Sequence, residues 1–436
     1  KKKKVTAFCL TESGSGSDAG SIKTSAEKQG DGSWLLNGEK IWITNGPFAD
    51  FYTVFARTDS QSGKLSAFLV ERAWEGVSTG PKEDKMGIRA SGTCTVSFQN
   101  VKVPAENLLG EEGKGFKIAM SILNSGRSGL GGGCVGGMKE SIKLATEHAL
   151  QRKQFGRSIS EFELVKEKIA RMTTLCYAAE SLMMLVAHYS DVGCHDYSVE
   201  AAVSKVFGTE SLWSVANDAL QIAGGNGFMR EFPYERIVRD SRINMIFEGT
   251  NEILRLYIAL TGFRGAGEYL QEIGKSGANI FNDPIKGFGV LSGYAAKKFT
   301  QLTSMGRDRI GFVAKPLEEE AAVVEQYVIE LSKSVESILR RYGKGIIGRQ
   351  FMSQRIANTT IDLFTSLAVL SRTTHLIERD GEEKTRTEQK VARLFIQEAK
   401  RRMNQNLRRI EKNEDNIQRE VADEIFGRGG YYWDVV

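Results

Sequence analysis

The sequence has few cysteines and histidines, and their arrangement argues against two common kinds of site. Its 436 residues include five cysteines and four histidines. The cysteines are odd in number, scattered and without a Cys-x-x-Cys pair, and no two histidines lie three or four residues apart. We therefore expect neither a disulfide framework nor a metal site, and a reducing compartment fits the pattern. The cysteines are Cys9, Cys94, Cys134, Cys176 and Cys194.

Long apolar runs and a strong charge imbalance are also missing. No continuous apolar run reaches the ~20 residues that span a bilayer. The net charge is only +5, with Lys and Arg interspersed among acids, so a nucleic acid partner is not expected. The hydrophobic content of 41% excludes wholesale disorder, and the length suffices for two or three domains. The chain opens with KKKK and runs straight into an apparent strand, so we expect that an N-terminal part precedes it.

Residues 1–110 have the composition of a β domain. The segments SWLLNGEKIWITNG, DFYTVFARTD, LSAFLVERA and TCTVSFQNVKV are rich in β-branched and aromatic residues, with Gly, Asp and Asn between them. The pair Asn37-Gly38 predicts a two-residue hairpin turn.

Residues 111–263 show helical periodicity. In SEFELVKEKIARMTTLC the apolar residues recur at helical spacing, and Ser160 followed by Glu163 predicts the capping box that starts this helix. Similar segments cover about 134–152, 197–222 and 250–262. Helices of this number and length predict a bundle.

The remaining sequence divides into two further parts. Residues 264–310 are rich in Gly and Lys, and we interpret them as a linker. Within them, 270–302 is either a basic amphipathic segment on a membrane surface or a linker packed on its own protein. Residues 311–436 return to helical patterns with charged faces and predict a C-terminal helical domain.

Two short motifs in the β domain could hold a ligand. TESGSGSDAGS, from Thr11 to Ser21, combines hydroxyls with small residues whose backbone N–H groups can approach a phosphate or a ring edge. KIWITNG, from Lys40 to Gly46, offers an aromatic face beside a hydroxyl. Taken alone, the first is also typical of an ordinary turn and Trp42 is also typical of a core residue.

Two more motifs lie in the helical part. RKQFG, from Arg152 to Gly156, could grip a diphosphate and an adenine, or could simply end a helix with positive charge. QIAGGNGF, from Gln221 to Phe228, has glycines that end a helix and permit close approach of the backbone to a ligand.

Together, in this order and followed by IFEGTNEILR, the four motifs resemble the acyl-CoA dehydrogenase flavoprotein family over residues 5–262. ILNSGR, PYERIVRDSRI and FEGTNEILRLYIALTG are most similar to the branch that contains the very-long-chain enzyme and family member 9. The resemblance implies an α+β multidomain fold. A β-barrel-like domain would precede the helical bundle and the second, C-terminal helical domain.

The resemblance implies an FAD site with contributions from several segments. Thr11 is expected near the flavin ring, and Trp42 and Thr44 beside it. Arg152 and Phe155 are expected to reach the adenine and diphosphate part of FAD across a homodimer interface. The full implied set is Phe8, Leu10, Thr11, Ser17, Trp42, Ile43, Thr44, Arg152, Phe155, Gln221, Gly224, Gly225, Thr250, Asn251 and Glu252.

Glu248 is the catalytic base that the resemblance implies. The α-proton of an acyl thioester is weakly acidic, so its removal needs a positioned base and a polarised carbonyl. An apolar, water-poor pocket would strengthen a carboxylate as a base. The alternative is a surface acid in front of a helix. The residues expected near the acyl-CoA substrate are Ser17, Asn124, Arg127, Phe247 and Gly249.

The resemblance also implies partners and a location. Electrons would pass to electron-transfer flavoprotein, and the protein would lie on the matrix face of the mitochondrial inner membrane with peripheral membrane contact. A rival interpretation is a scaffold that binds complex I assembly factors, with dehydrogenation secondary or absent. An acyl-CoA oxidase is a third interpretation.

Two departures from the family pattern affect these expectations. Ser13 stands where the family usually has proline, which loosens the loop around it. The glycine-rich run Gly129–Gly137 stands where the resemblance predicts an Ala/Met-rich helix. Each Gly costs ~1 kcal/mol relative to Ala inside a helix. We therefore expect either a locally weak helix or glycines that admit a close neighbour or a bulky acyl chain.

Overall fold

The computed structural model describes residues 3–59, 63–194, 196–278 and 310–433. The chain divides into two compact units, each discontinuous in sequence. The first comprises Lys1–Lys166 and Gly208–Thr250, and the second comprises Glu167–Phe207 and Asn251–Val436.

An eight-stranded sheet occupies the N-terminal part of the first unit. Its strands are β1 (Thr6–Cys9), β2 (Ser25–Lys28), β3 (Trp34–Thr44), β4 (Phe51–Arg57), β5 (Leu65–Glu71), β6 (Val77–Thr79), β7 (Thr93–Val103) and β8 (Leu108–Leu109). Their order is β6-β7-β3-β2-β4-β5-β8, and β1 pairs in parallel with β4. Among the described residues the edge strands β6 and β8 do not pair, so the β-barrel-like sheet is open rather than closed.

The sheet core follows from alternation of apolar residues along the strands. Trp34 and Leu36 of β3 are buried together with Phe68 of β5 and Val96 of β7. The rings of Trp34 and Phe68 meet edge to face with centroids 5.3 Å apart, a favourable aromatic geometry. This core fixes the strands on which several candidate site residues lie.

The hairpin turn expected at Asn37-Gly38 is wrong, because both residues lie inside β3. Gly38 has a φ of +148°, and a Cβ there would lie 2.7 Å from Thr24 Cα. Asn37 Oδ1 accepts a hydrogen bond of 2.7 Å from the backbone N–H of Asn100, where β7 carries one extra residue. Asn37 therefore binds the bulge in β7, and Gly38 permits the close contact with the Thr24 backbone. The two residues that are typical of a hairpin turn serve these contacts instead.

The expected capping box is displaced by two residues. Ser158, rather than Ser160, is the N-cap, and its partner is Glu161. The Ser158 N–H donates to Glu161 Oε1 at 3.2 Å, and Ser158 Oγ accepts from Ser160 N at 3.3 Å. The box caps a short 3₁₀ turn that precedes the helix beginning at Glu163. The sequence signal was correct in kind but could not resolve this extra turn.

Among the described residues up to Ala278, six α-helices and a short hairpin follow the sheet. The helices are α1 (Gly115–Gln151), α2 (Glu163–Asp191), α3 (Ser198–Ala223), α4 (Gly225–Phe228), α5 (Tyr234–Arg242) and α6 (Asn251–Ala278), and the hairpin is β9 (Lys153–Gln154) with β10 (Arg157–Ser158). Helix α2 is long and apolar enough to cross a membrane, but core helices meet the same criteria and 44% of its most apolar stretch is buried.

The glycine-rich run lies within α1, which continues through it unbroken. A Cβ on Gly137 would lie 3.0 Å from Leu212 Cδ1, and a Cβ on Gly208 would lie 3.5 Å from Gly131 Cα. Part of the run therefore admits the close approach of α3. Gly133, in contrast, would carry a Cβ with no heavy atom within 4 Å.

The second unit contains the C-terminal helices α7 (Glu318–Tyr342), α8 (Gln350–Asp380), α9 (Arg386–Glu411) and α10 (Asp415–Arg428). Phe207 meets Phe395 edge to face at 5.9 Å, and the buried Arg355 donates to Asp415 on α10. These observations confirm the α+β multidomain fold with a C-terminal helical part. The candidate membrane-surface segment 270–302 lies outside the described residues from residue 279 onward.

Candidate active site

Three of the candidate site residues have a strained backbone. In the described ranges, six non-glycine residues have a positive φ, and these include Trp42 (+56°), Phe155 (+53°) and Glu248 (+58°). Such conformations cost of order 1–3 kcal/mol each and persist only where the surroundings enforce them. Strain of this kind at three candidate ligand-binding residues points to function at these positions.

A β-bulge in β3 presents Trp42. Lys40 pairs with Val96 and Ile43 pairs with Cys94, so two residues of β3, Ile41 and Trp42, oppose one residue of β7. A bulge of this kind re-aims a side chain. The Trp42 side chain is consequently 65% exposed although it belongs to a central strand. The strand thus offers an aromatic surface that the sheet core does not use.

The neighbours of Trp42 divide between core and surface. Ile43 is buried in the sheet core, so its side chain serves packing, whereas Thr44 is exposed. On β1, Phe8 packs on Phe55 with ring centroids 5.0 Å apart, and Leu10 is buried in the same cluster. Any ligand contact of the buried Leu10 or Ile43 would therefore involve mainly the backbone, whereas the Phe8 ring is half-buried.

The loop from Thr11 to Ser21, which we call the Ser/Gly loop, lies beside β3. The Thr11 carbonyl accepts a hydrogen bond from the Ile41 N–H at 2.9 Å. Thr11 is half-buried and Ser17 is exposed. Ideal Cβ atoms on Gly14 and Gly16 would meet no heavy atom within 4 Å. The loop therefore carries hydroxyls and an open backbone next to the strand of Trp42.

Glu248 lies against the first half of α1. Arg127 Nε donates to the Glu248 carbonyl at 3.1 Å, and Arg127 Nη1 donates to Asn124 Oδ1 at 3.0 Å. A Cβ on Gly126 would lie 2.9 Å from Glu248 Oε2, so the carboxylate rests on the surface of the helix at this glycine. We call Asn124, Gly126, Arg127 and Glu248 the Glu248 cluster.

The segment around Glu248 is apolar on one side and turns sharply on the other. Ile246 is 47% and Phe247 37% exposed, so two neighbouring apolar side chains directly before Glu248 are available for contact. Glu248 is half-buried, and Gly249 follows with a φ of +90°. Two consecutive residues with positive φ bend the chain just before α6 begins at Asn251.

Asn251 and Glu252, the last predicted residues of this segment, belong to the second unit, whereas Thr250 ends the first. Asn251 is buried, and its Oδ1 accepts a hydrogen bond of 2.8 Å from Nζ of the fully buried Lys205. Glu252 is exposed. Asn251 is thus fixed by a charge-assisted hydrogen bond. Thr250, the residue before the helix, is half-buried.

The hairpin β9–β10 presents Phe155 at its tip. Phe155 and Gly156 both have a positive φ, which suits a two-residue hairpin loop, and Phe155 is 92% exposed. Its ring meets Phe162 edge to face at 6.1 Å. Arg152, where α1 ends, is exposed as well. Such exposure of a strained aromatic residue favours contact with a ligand or another chain.

The glycine motif at the end of α3 is open in part. Gln221 is exposed, and its carbonyl accepts from the Gly224 N–H at 3.2 Å. Gly224 has a φ of +60°, and neither Gly224 nor Gly225 would carry a Cβ within 4 Å of another group. A Cβ on Gly227, in contrast, would lie 2.3 Å from the Leu220 carbonyl oxygen. Gly227 therefore serves packing, whereas the first two glycines leave the backbone accessible.

Sequence reasoning missed three residues of these clusters. Gly126 is the position in α1 that the Glu248 carboxylate contacts. It lies within the motif ILNSGR, of which only Asn124 and Arg127 were named as candidates from the sequence. Glu12 and Lys40 form a buried ion pair of 2.8 Å at the base of the Ser/Gly loop. The available signal for Lys40 was a lysine near the middle of β3, directly before the apolar residues Ile41, Trp42 and Ile43. Within the described ranges, no group of three metal-ligating side chains occurs.

Three family descriptions match successive parts of the chain. "Acyl-CoA dehydrogenase, middle domain" matches residues 7–101 and "Acyl-CoA dehydrogenase, C-terminal domain" matches 113–262. "ACAD9/ACADV, C-terminal domain" matches 315–431. The candidate residues from Phe8 to Glu252 fall within the first two matches.

Individual relatives cover most of the chain. The bovine mitochondrial very long-chain specific acyl-CoA dehydrogenase is 41% identical over 98% of this chain and 67% of its own length. The human protein of the same name is 45% identical over 84% of this chain, but the chain spans only 57% of its length. A crystal structure of an acyl-CoA dehydrogenase complexed with FAD from Bacillus anthracis is 34% identical. The match covers 95% of this chain and 71% of the chain in that crystal structure, with a TM-score of 0.79.

Proposed function

The chain belongs to the acyl-CoA dehydrogenase family, and from this premise we propose that it oxidises long-chain and very-long-chain acyl-CoA thioesters to trans-2-enoyl-CoA with FAD as cofactor. The branch is supported by the match of residues 315–431 to the C-terminal domain description and by the very long-chain relatives.

The observation that carries the proposal is the position of Glu248. Its backbone is held in a strained conformation by the hydrogen bond from Arg127, and its carboxylate rests on Gly126. An acid that served only solubility would not need this conformation. Exposed Ile246 and Phe247 precede it and can contact an acyl chain. This combination favours a positioned base over a surface acid in front of a helix.

In the proposed reaction, a Glu248 carboxylate oxygen takes the proton from Cα of the acyl thioester and becomes a carboxylic acid. Arg127 acts on the backbone of Glu248 and so fixes where the carboxylate can reach. Bound FAD would supply the second half of the oxidation by accepting the hydrogen of Cβ as hydride. The products would be the trans-2-enoyl thioester, a protonated Glu248 and the cofactor in its two-electron-reduced form.

The residues present fit an FAD molecule by their chemistry. Trp42 supplies an exposed aromatic face, and the Ser/Gly loop beside it supplies hydroxyls and open backbone N–H groups for the polar edge of the ring. Thr11, Ser17 and Thr44 would be the hydroxyl donors. Gly224 and Gly225 leave room for a close approach of the backbone, as a diphosphate requires.

We further propose a homodimer in which Arg152 and Phe155 contact the FAD of the partner subunit. The 92% exposure of Phe155 at a strained hairpin tip supports this proposal. Electron-transfer flavoprotein is the proposed electron acceptor, by family resemblance. The mitochondrial relatives support a mitochondrial location, and the matrix face of the inner membrane with peripheral membrane contact remains our proposal.

The decisive variant is Glu248→Gln in the full chain. We expect it to keep bound flavin and the free energy of unfolding, and to lose turnover with palmitoyl-CoA by at least about 100-fold, since general-base catalysis contributes at least this much. Glu231→Gln, at an exposed acid of the same unit, is the control and is expected to retain full turnover. Retained turnover in Glu248→Gln would refute the base assignment.

The scaffold and oxidase alternatives stay predictions. The C-terminal domain description covers both the very-long-chain enzyme and family member 9, so it does not discriminate between them. Copurification with complex I assembly factors and no turnover would favour the scaffold. Peroxide release with oxygen consumption would favour the oxidase.

A further inference from the structure

Lys40 is a fully buried lysine in the middle of a central strand. Its relative exposure is 0%, and it immediately precedes the two bulge residues Ile41 and Trp42. Lysines are almost never fully buried unless they are paired, because removing an ammonium group from water is expensive. Lys40 lies in the same strand as the candidate ligand-binding residue Trp42. We therefore looked for a function that its burial serves.

The Lys40 ammonium group connects the two ends of the Ser/Gly loop through the carboxylate of Glu12. Nζ donates to the Leu10 carbonyl at 3.0 Å and to Glu12 Oε1 at 2.8 Å. The Glu12 carboxylate in turn accepts from the backbone N–H of Lys23 at 2.6 Å and of Thr24 at 3.0 Å. Lys40 and Glu12 therefore tie the beginning of the Ser/Gly loop to the residues that follow its end.

The same strand makes two more contacts with the ends of the loop. The Ile41 N–H donates to the Thr11 carbonyl, and Gly38 approaches Thr24 so closely that a Cβ would lie 2.7 Å from Thr24 Cα. The stretch Gly38–Trp42 thus meets the loop on both sides of the ion pair. Lys40, Ile41 and Trp42 are consecutive in β3. Lys40 and Ile41 bind the residues around Thr11, so Trp42 is placed next to the start of the loop.

Burial and hydrogen bonding shift the pKa values of both members of the pair. Burial alone would raise the pKa of Glu12, but the hydrogen bonds from Lys23, Lys40 and Thr24 outweigh it and hold the pKa below its usual range. Burial lowers the pKa of Lys40, and Glu12 opposes this effect. Burial raises the pKa of the adjacent Cys9 thiol, so Cys9 remains neutral. Glu12 is then the anion that compensates Lys40.

We propose that the Lys40–Glu12 pair is a positioning device for the flavin. It would hold the loop that carries Thr11 and Ser17 in register with the bulge that carries Trp42 before the cofactor arrives. The site would then bind FAD without first ordering the loop, which reduces the entropic cost of binding. The flavin part of this inference rests on the proposed function. Neither Lys40 nor Glu12 would touch the reacting atoms.

The test compares the full-length chain with Lys40→Met and with Glu12→Gln/Lys40→Met. The matched control is Lys102→Met, because Lys102 makes an ion pair of the same 2.8 Å length with Asp31 while both side chains are exposed. The first readout is hydrogen exchange of the Lys23, Thr24 and Ile41 amides without added FAD. The second is the dissociation constant of FAD from fluorescence titration.

For Lys40→Met we expect the three amides to exchange about 100-fold faster, since breaking a buried ion pair leaves an uncompensated charge. We expect FAD to bind at least about tenfold more weakly, because the loop must be ordered on binding. Lys102→Met should leave both quantities unchanged. The double variant removes both charges, so it should fold even if the single variant does not, and its FAD affinity should still fall about tenfold.

Three results would overturn the proposal. One is unchanged amide exchange in Lys40→Met, which would mean that the pair does not hold the loop. Another is unchanged FAD affinity in the double variant while the wild type binds FAD normally, which would reduce the pair to a structural role. A wild-type chain that binds no FAD would instead overturn the proposed function, together with the flavin role of the pair.

Discussion

Gly126 provides the sharpest test of the Glu248 cluster, because a single methyl group there should move the carboxylate without harming the fold. In Gly126→Ala the new Cβ would lie 2.9 Å from Glu248 Oε2, whereas ordinary contacts begin at 3.4 Å. The carboxylate must therefore shift by roughly 0.5 Å, from the difference of these two distances. The shift is easily accommodated, because the atom is the far end of a flexible side chain.

The expected effects on stability and activity have opposite signs. Replacing Gly by Ala inside α1 should raise the free energy of unfolding by up to about 1 kcal/mol. A misplacement of about 1 Å in catalytic geometry can cost 100-fold in rate, so a shift of half that size should lower kcat/KM by about tenfold. Chemical denaturation measures the first quantity, and dye reduction with palmitoyl-CoA measures the second.

Gly133→Ala is the matched control, since its Cβ would meet no heavy atom within 4 Å on the same helix. It should gain similar stability and keep full kcat/KM. If Gly126→Ala is stable and as active as wild type, the carboxylate that rests on Gly126 is not the catalytic base in this position.

Three further outcomes are expected. Trp42→Ala should change the free energy of unfolding by no more than about 0.5 kcal/mol, because the side chain is 65% exposed, yet it should weaken FAD binding; a titration with unchanged affinity would contradict the aromatic platform. Gly38→Ala should destabilise the chain by about 1–3 kcal/mol in denaturant, because its Cβ would meet Thr24 backbone, and a neutral result would refute the close approach. Glu12 has a lowered pKa in the folded state, so its contribution to stability is present above the ordinary carboxylate pKa of about 4.3 and is lost as the pH falls through the folded value. Glu12→Gln should therefore show a weaker loss of stability on acidification than wild type.

The fold class could be predicted because its signals are local and repeated along the chain. Period-two and helical patterns located the β domain and the helices, and the motif order indicated the family. The two local predictions that were wrong used sequence patterns that occur in more than one kind of structure. Asn37-Gly38 is typical of a hairpin turn, yet the same pair also suits a bulge beside Thr24. Ser160 and Ser158 compete as caps, and only the extra 3₁₀ turn decides between them.

The sequence indicated candidate site residues, which stay a prediction, but it did not indicate the contacts between them. Glu248 stood out as an acid after an apolar run, but the support from Gly126 and Arg127 joins segments far apart in sequence. Lys40 and Glu12 were overlooked because charged residues normally lie at the surface. Only the packing of the sheet brings this pair inside.

The most direct test of the central claim is the absorption spectrum of the purified full-length chain under anaerobic conditions, before and after palmitoyl-CoA is added. We expect a flavin spectrum that bleaches on addition of substrate in the wild type and remains oxidised in Glu248→Gln. A protein without a flavin spectrum, or a bound flavin that stays oxidised in the wild type with acyl-CoAs of every chain length, would contradict it.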